Sequence, residues 1–408
     1  MSHLLELNDW HLSCYTPRGQ CIYQQAAAAF AQADQLVFGD QALAQSRIQP
    51  QTFNVQYLSR LSTETLPRKI GPAQNYADLI YYHLRSIQSE HTLNDLVIAA
   101  PAYYSDEQLG LLLGIADEAG LNIQGFVDSA LGYAIQTRTD TQHIFDIGLN
   151  QSNLSELRVK QGQIHVGSYN VFEGDGILGI VDAWLHVIAS AFLQTSRFDP
   201  LHSAATEQQV FDQALGWITQ GLPSDPQVSL DVDGHPRKAD IPHAALISAL
   251  RQRLSIAEFT NITTLGLTPR TNSVPGLNGL LSEISGDVVN GNANPKALLA
   301  AHEPHTGTGA NRILQSAHSA SANSALQATP NPRSETETSG SPATHLLADH
   351  QATALTADAL STYFDADGLL RPGAEVLING TAPTSARLRC GDDVQLPDGL
   401  WVAIRISD

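Results

Sequence analysis

The chain has 408 residues, of which 42% are hydrophobic, enough for two lobes and an extra module that each bury a core of their own. Lysine and arginine number 22 against 41 aspartate and glutamate residues, so the formal net charge is −19. A surface that follows a phosphate backbone needs a basic stripe, and this acidic chain is therefore not expected to bind nucleic acid. Solubility is the simplest role for so much negative charge.

Targeting signals are not apparent in the sequence. No charged start followed by an apolar run marks a signal peptide, and no stretch comes near the ~20 apolar residues that span a bilayer, so a cytoplasmic protein away from membranes is expected. The three cysteines, Cys14, Cys21 and Cys390, have no metal-ligand spacing. Cys14 and Cys21 are expected near one hairpin, where a disulfide would fit, but free thiols in a reducing cytoplasm are favoured.

Apolar patterning and turn residues predict alternating strands and helices along the first two thirds of the chain. The predicted elements are, in chain order, a hairpin of residues 4–15 and 21–25 around Thr16-Pro-Arg-Gly, a helix over 76–87, a strand over 96–100, a helix that Ser105 and Asp106 cap and Gly120 ends, a strand over 123–127 with a helix after it, a strand over 143–147, and helices over 210–218 and 244–254. Strands that alternate with capped helices imply a layered α/β sheet.

The most informative segment covers residues 96–157. It reads LVIAAPAYYSDEQLGLLLGIADEAGLNIQGFVDSALGYAIQ and, after a short polar gap, HIFDIGLNQSNLSEL. This segment resembles the corresponding part of the DnaK-type seventy-kilodalton heat-shock chaperones of the actin-like ATPase superfamily. In that family a strand ending V-P-A-Y-F precedes a helix, and A-G-L, N-E-P-T-A-A and the phosphate loop D-L-G-G-G-T follow. Weaker motifs in the same order extend the resemblance over residues 1–302.

The resemblance implies an α/β fold of the actin-like ATPase type, with two lobes and a cleft between them. Beyond it, residues 303–350 are rich in small and polar residues and predict a flexible linker, because they cannot bury enough surface to offset chain entropy. Residues 351–408 predict a small β-rich module, either ubiquitin-like or forkhead-associated. The predicted domains are lobe I over 1–140, lobe II with a helical subdomain over 141–302, the linker over 303–350 and the module over 351–408.

The last predicted strand of the module is apolar and carries Trp401, Val402, Ile404 and Ile406. A module this short is expected to leave an edge of that strand free for pairing with another chain, which would make other proteins its partners. The alternative is that these side chains fill the core of the module itself.

The resemblance also implies a nucleotide site. In the chaperone family, glycine-rich hairpins wrap the phosphates of ATP with backbone N–H groups, and carboxylates hold Mg²⁺ through water. The implied residues are Asp128 as the catalytic group and Glu6, Asp146, Gly148, Gly174, Gly266 and Arg270 as cofactor-binding groups, with no separate metal site. Asp146 either faces the metal or caps its own turn. Arg270 either stacks on a purine or is a surface arginine.

Several residues of the family pattern are replaced in this chain. Leu149 and Asn150 stand in place of two loop glycines, and Asn8, Asp9 and Trp10 stand in place of Gly-Thr-Thr. Side chains at these positions would crowd the approach of phosphates to the backbone. The lysine that helps to orient the attacking water is also absent, so negligible ATP hydrolysis is predicted.

Three functions remain open from the sequence. The first is a pseudo-ATPase scaffold or chaperone-like interaction protein, with other proteins as partners. The second is a slow, chaperone-like ATPase that binds ATP and Mg²⁺. The third, a sugar or acetate kinase of the same superfamily, is weaker because the strongest resemblance is to the chaperone motifs. Binding of ATP, measured with and without Mg²⁺, discriminates between the first two.

Overall fold

The computed structural model describes residues 2–33, 35–134, 141–160, 163–232, 234–301, 313–314, 316–318, 345–348, 351–356, 360, 362–365, 368–371, 376–378, 387–388, 392–396 and 399–404. The chain divides into two compact units, Met1–Ser324 (unit 1) and Ala325–Asp408 (unit 2). Each unit is described by itself.

The chain has a mixed α/β fold in which strands and helices alternate through unit 1. The strands are β1 (His3–Glu6), β2 (Leu12–Tyr15), β3 (Cys21–Gln25), β4 (Ala29–Gln32), β5 (Gln35–Phe38), β6 (Phe53–Asn54), β7 (Thr65–Ile70), β8 (Ala73–Asn75), β9 (Asp95–Ala100), β10 (Asn122–Asp128), β11 (Thr141–Ile147), β12 (Gln151–Lys160), β13 (Gln163–Glu173), β14 (Gln227–Val232), β15 (His235–Asp240), β16 (Thr264–Leu267), β17 (Asp287–Asn290), β18 (Ile313–Leu314), β19 (Ser316–His318), β20 (His345–Ala348), β21 (Gln351–Ala354), β22 (Leu377–Ile378), β23 (Asp393–Leu396) and β24 (Gly399–Ile404). The α-helices are α1 (Asp40–Leu43), α2 (Tyr76–His91), α3 (Asp106–Glu118), α4 (Ile177–Ser196), α5 (Ala204–Gln220), α6 (His243–Arg253), α7 (Pro269–Asn272), α8 (Leu277–Ser282) and α9 (Pro295–Ala301), and short 3₁₀ helices occupy Ser129–Tyr133, Pro200–His202 and Ile256–Phe259.

The first sheet of unit 1 has the strand order β18-β10-β9-β1-β2-β3. Its strands β1, β9, β10 and β18 run parallel, whereas β2 is antiparallel to both of its neighbours. The predicted strand over residues 96–100 is confirmed as β9, which lies inside this sheet. The predicted helix that follows is confirmed as α3, because Ser105 and Gln108 cap its start reciprocally.

The second sheet of unit 1 has the order β17-β16-β11-β12-β13-β19. The predicted strand over residues 143–147 is confirmed within β11, which pairs with β16 in parallel and with β12 antiparallel. The predicted helices over 210–218 and 244–254 are confirmed as α5 and α6. Together with α4 they pack against this sheet around one large apolar core.

Helix α4 is long and apolar enough to cross a membrane by length and composition alone, contrary to the expectation that no such stretch exists. In the structure it is a core helix of unit 1. Trp184 and Ile188 are buried in the apolar core, and the indole Nε1 of Trp184 donates to the carbonyl oxygen of Leu246 at 3.0 Å. Packing against α5 and α6 therefore accounts for its apolar side.

The first predicted strand, residues 4–15, is wrong in detail because the chain turns in its middle. The side-chain Oδ1 of Asn8 accepts from the backbone N–H groups of Trp10 at 2.8 Å and His11 at 3.0 Å. An Asn side chain that bonds the backbone two residues later makes a tight turn. This turn separates β1 from β2. It also brings residues 7–11 towards the end of β11, where the side-chain Nδ2 of Asn8 donates to the carbonyl oxygen of Ile147 at 3.1 Å.

Cys14 and Cys21 are free thiols, so the disulfide alternative is not realised. In the β2–β3 ladder, Cys14 faces Tyr23 and Cys21 faces Tyr15, so the two cysteines are not opposite each other. Burial raises the pKa of Cys14 to about 12. Cys390 lies outside the described residues.

Some described strands fall inside the predicted linker, residues 303–350. Strands β18 and β19 extend the two sheets of unit 1, and β20 belongs to the sheet of unit 2. Composition missed these short strands because strand pairing uses main-chain hydrogen bonds, which hardly depend on the side chains. The boundaries of the four predicted domains stay a prediction.

Unit 2 contains a sheet with the order β21-β20-β24-β23-β22 and a core of its own that includes Leu346, Phe364 and Leu388. Strand β24 pairs with β20 on one side and with β23 on the other. The expectation that the last strand leaves an edge free is therefore wrong, since β21 and β22 are the edges among the described strands. Ile406 lies outside the described residues.

Candidate functional site

The candidate site lies where strands from both sheets of unit 1 end. Glu6 is the last residue of β1 in the first sheet, and Asp146 is the next-to-last residue of β11 in the second sheet. The chain continues from β1 into the turn of residues 7–11, and from β11 into a loop of residues 148–150. Both acids are buried, with 2% and 5% of their surface exposed. The turn and the loop meet through direct hydrogen bonds.

The carboxylate of Asp9 binds the loop of residues 148–150 as an internal anion. Its Oδ1 accepts from the backbone N–H of Leu149 at 2.6 Å, and its Oδ2 accepts from the backbone N–H of Asn150 at 3.2 Å. The side-chain Nδ2 of Asn150 donates to the same Oδ2 at 2.8 Å. Burial raises the pKa of Asp9, and these hydrogen bonds offset part of that rise.

Gly148 is required by the close approach of Asp9. A Cβ atom at this position would lie 2.2 Å from Oδ1 of Asp9, so any larger residue would displace the carboxylate. The backbone N–H of Gly148 donates to the carbonyl oxygen of Gln151 at 2.8 Å. The amide N–H groups at positions 148, 149 and 150 therefore all have acceptors within the chain.

Two carbonyl groups of the same loop also accept hydrogen bonds. The first N–H groups of α4, from Ile177 and Leu178, donate to the carbonyl oxygens of Gly148 and Leu149 at 3.0 Å each. A Cβ at Gly176 would lie 2.5 Å from the carbonyl oxygen of Leu149, so α4 begins in direct contact with the loop. The loop is thus held between the start of α4 and Asp9.

Arg270 provides the positive charge of the site and is itself buried, with 5% of its surface exposed. Its Nε and Nη2 donate to the two oxygens of Asp146 at 2.6 and 2.7 Å, and Nη2 also donates to Oε1 of Glu6 at 2.7 Å. Such charge-assisted, forked contacts are among the strongest hydrogen bonds in proteins. Burial alone would lower the pKa of Arg270, but the attraction of Asp146 and Glu6 outweighs it and raises that pKa.

Neutral groups occupy further positions around the two acids. The hydroxyl of Thr268 donates to Oδ1 of Asp146 at 2.7 Å, and Nδ2 of Asn8 donates to its Oδ2 at 3.1 Å. The hydroxyl of Tyr133 donates to Oε1 of Glu6 at 2.7 Å. Thr268 also caps α7, the short helix that carries Arg270, and so fixes the position of the guanidinium.

The structure brings together Glu6, Asp146, Gly148 and Arg270 of the residues that the sequence singled out. The expectation that Asp146 caps its own turn is wrong, because its partners come from other segments. The expectation of a surface arginine at position 270 is also wrong. Its guanidinium lies 5.3 Å from the centre of the Tyr133 ring, and its Nε and Nη2 donate to carboxylates.

The two remaining predicted glycines lie elsewhere in the fold. Gly174 has φ of 79° in the turn between β13 and α4, a conformation that favours glycine. Gly266 lies within β16, where it pairs with Ile144 of β11 and Val289 of β17. Gly266, which the resemblance implied as a cofactor-binding residue, is therefore part of a sheet strand, and the turn into α7 follows that strand.

Asp128, the predicted catalytic group, ends β10 and caps the short 3₁₀ helix after it. Its Oδ1 accepts from the backbone N–H of Ala130 at 2.8 Å, while its Oδ2 has no hydrogen-bond partner among the described residues. The carboxyl group is fully buried, and this burial raises its pKa to about 7. A carboxyl group with a pKa raised in this way can give or take a proton near neutral pH, but among the described residues no partner for that step contacts it.

Sequence reasoning missed the roles of Asn8 and Asp9. Both were read as losses from a phosphate loop, because the family has glycine and threonine at these positions. Their residue types carried a usable signal, since Asn and Asp commonly form turns with their own backbone. Trp10 was expected to fill phosphate space, whereas its side chain is buried in the apolar core of the second sheet.

Comparisons with known proteins find similarity to heat-shock chaperones. No family model matches the chain. It is 30% identical over 115 residues to a mitochondrial heat shock 70 kDa protein of Solanum tuberosum, which covers 26% of this chain and 16% of that protein. It is 28% identical over 181 residues to a chaperone protein HscA homolog of Burkholderia ambifaria, covering 41% of this chain and 28% of the relative.

A third relative, the chaperone protein DnaK of Ureaplasma urealyticum, is 24% identical over 308 residues, covering 65% of this chain and 50% of the relative. The chain thus spans half or less of the length of these relatives. The fold and the site define a mixed α/β protein with a buried polar contact between two sheets. The comparisons add that the protein is distantly related to the Hsp70 chaperones, DnaK and HscA among them.

Proposed function

We propose that this protein is a chaperone-like interaction protein, related to DnaK, whose nucleotide site has become a closed internal contact. It is a pseudo-ATPase scaffold on this proposal, with other proteins as partners and the cytoplasm as its compartment. The observation that supports it best is that all three backbone N–H groups of the loop of residues 148–150 have acceptors within the chain, two of them on the carboxylate of Asp9.

The proposal includes an actin-like arrangement for unit 1, in which each six-stranded sheet forms the centre of one lobe. Two observations support it. The sheets are built from consecutive parts of the chain, apart from the short edge strands β18 and β19. The ends of β1 and β11 also face each other, as do the strands that carry the two phosphate loops in the family.

ATP with Mg²⁺ is the cofactor that the relationship to Hsp70 chaperones suggests, and the residues at this site do not fit it. Phosphate oxygens would need the N–H groups that now bind Asp9, and Mg²⁺ would need the carboxylates that now bind Arg270. Binding would have to break both buried charged contacts before it gained any new one. Leaving either partner buried and unpaired costs several kcal/mol, on the order of 3–5 for an ion pair.

Calorimetric titration of the full chain with ATP, with and without MgCl₂, tests the proposal. We expect a dissociation constant weaker than about 1 mM, which corresponds to less than ~4 kcal/mol of binding free energy. Phosphate release should equal that of a buffer blank.

The alternative, a slow ATP-binding ATPase, has an opposite signature. It predicts Mg²⁺-dependent binding tighter than about 10 µM and phosphate release that is lost in Asp146→Ala. Asp117→Ala, which changes an exposed acid on α3, is the matched control and should keep any such activity. This pattern would overturn the pseudo-ATPase proposal.

A further inference from the structure

We infer that Arg270 is a built-in cation that holds the two sheets of unit 1 together at this site, so that closure there needs no bound ligand. The inference deepens the proposed function and rests on it. It assigns to one side chain of the protein the place that a metal ion would take between two carboxylates.

The three charged groups come from both sheets of unit 1. Arg270 and Asp146 belong to the second sheet and the short helix after β16, whereas Glu6 ends β1 of the first sheet. The contact between Arg270 and Glu6 joins residues 264 positions apart in the chain. It therefore connects one sheet to the other directly.

The shape of the arginine side chain allows it to bridge two carboxylates. One planar guanidinium reaches three oxygens on two carboxylates, with Nη2 shared between Asp146 and Glu6. An ammonium group is a compact point charge whose three donors lie on one nitrogen, and it would not span the two acids in this way. Side chains of the pair Arg270 and Glu6 are 4% and 3% exposed, so water does not replace a lost partner easily.

Further hydrogen bonds join the turn after β1 to the end of β11 and the loop that follows it. Asp9 of the first sheet's turn binds the loop of the second sheet, and Asn8 donates to Asp146 and to the carbonyl oxygen of Ile147 at 3.1 Å each. If Arg270 were neutral, Glu6 and Asp146 would repel each other beneath these contacts. The cation is consequently what allows the neighbouring hydrogen bonds to persist.

The contacts of Arg270 affect how the site can respond to a ligand. A protein that opens and closes with a ligand must have a ligand that binds one state better than the other. Here the charges that would provide this difference already bind each other. The closed arrangement of the site should therefore be insensitive to divalent cations in the native chain.

Hydrogen–deuterium exchange of the full chain, read on peptides that cover residues 7–11 and 148–151, tests the inference. In the wild type both segments should exchange slowly, with or without 1 mM MnCl₂. In Arg270→Met both should exchange at least about tenfold faster, because two buried acids lose their counter-charge. MnCl₂ should then slow the exchange of these segments in the variant, since the vacated carboxylate oxygens suit a divalent cation.

Arg251→Met is the matched control, because Arg251 is an exposed arginine on α6 that pairs with Glu283. Hydrogen–deuterium exchange in both segments should remain slow in this control variant. If Arg270→Met does not fold, Glu6→Gln keeps the side-chain shape while removing one charge and should also speed exchange at both segments.

Two results would overturn the inference. One is exchange in Arg270→Met or Glu6→Gln that is as slow as in the wild type. The other is faster exchange that MnCl₂ leaves unchanged, which would assign Arg270 a packing role. The ATP titration is read separately: tight ATP binding by the wild type contradicts the proposed function, whereas slow exchange in the variants contradicts only the role of Arg270.

Discussion

Replacement of Asp128 by asparagine tests whether burial raises the pKa of this carboxyl group. The carboxyl group is 1% exposed, and only its Oδ1 has a hydrogen-bond partner among the described residues. Asn keeps this contact and has the shape of the protonated acid. The variant therefore removes the ionisation of the group and changes little else.

The expected magnitude follows from the pKa of Asp128. Burial raises this pKa from 3.8 to about 7, a difference of about three units. Between these values the folded chain retains a proton that the unfolded chain has lost, so the free energy of unfolding falls as pH rises, and it levels off above pH 7. At 1.36 kcal/mol per unit, the total loss in the wild type is at most ~4 kcal/mol.

We therefore expect Asp128→Asn to match the wild type near pH 4 and to be more stable by about 2–4 kcal/mol at pH 8. Urea unfolding of both proteins between pH 4 and pH 9, followed by the fluorescence of the buried tryptophans of unit 1, measures the difference. Asp117→Asn, an exposed change on α3, should run parallel to the wild type at every pH. A difference that does not vary with pH, or an Asn variant that is less stable at pH 8, would refute the reasoning.

Two further predictions concern the loop and the two units. Gly148→Ala should lower the free energy of unfolding by about 1–3 kcal/mol in urea, because the new methyl group would meet Asp9. Its control, Gly110→Ala on the open surface of α3, should raise the free energy of unfolding by ~0.5–1 kcal/mol. Equal effects of the two substitutions would contradict the close approach of Asp9 to Gly148. Deletion of residues 325–408 should change the unfolding free energy of unit 1 by less than ~0.5 kcal/mol, because unit 2 has its own core. Loss of the cooperative transition after that deletion would show that unit 1 depends on unit 2.

Local signals in the sequence were sufficient for many single elements. Ser105 with Asp106 predicted the start of α3, and the apolar run of residues 96–100 predicted β9. Such features depend on neighbours within a few positions, so they can be read without knowing the fold. The same kind of signal failed at residues 4–15, because an Asn side chain turned the backbone in the middle of an apolar pattern.

Composition was a weaker guide beyond residue 302. Strand β20 begins inside the segment that was predicted as a linker, and it pairs with β24. That pairing decides that the last described strand is internal rather than an edge. Strand order depends on main-chain hydrogen bonds between distant segments, which the side-chain pattern of one strand does not reveal.

The sequence by itself determined that Asp9 departs from the family pattern and that Arg270 is a candidate site residue, and it indicated the chaperone resemblance. It did not determine what those residues do. Glu6 and Arg270 are 264 positions apart, and Asp9 and Leu149 are 140 positions apart. Only the tertiary structure brings them within hydrogen-bond distance, because the ends of β1 and β11 are positioned by the packing of two whole sheets. Charges become partners through that packing, and their energies depend on a burial that the sequence does not contain.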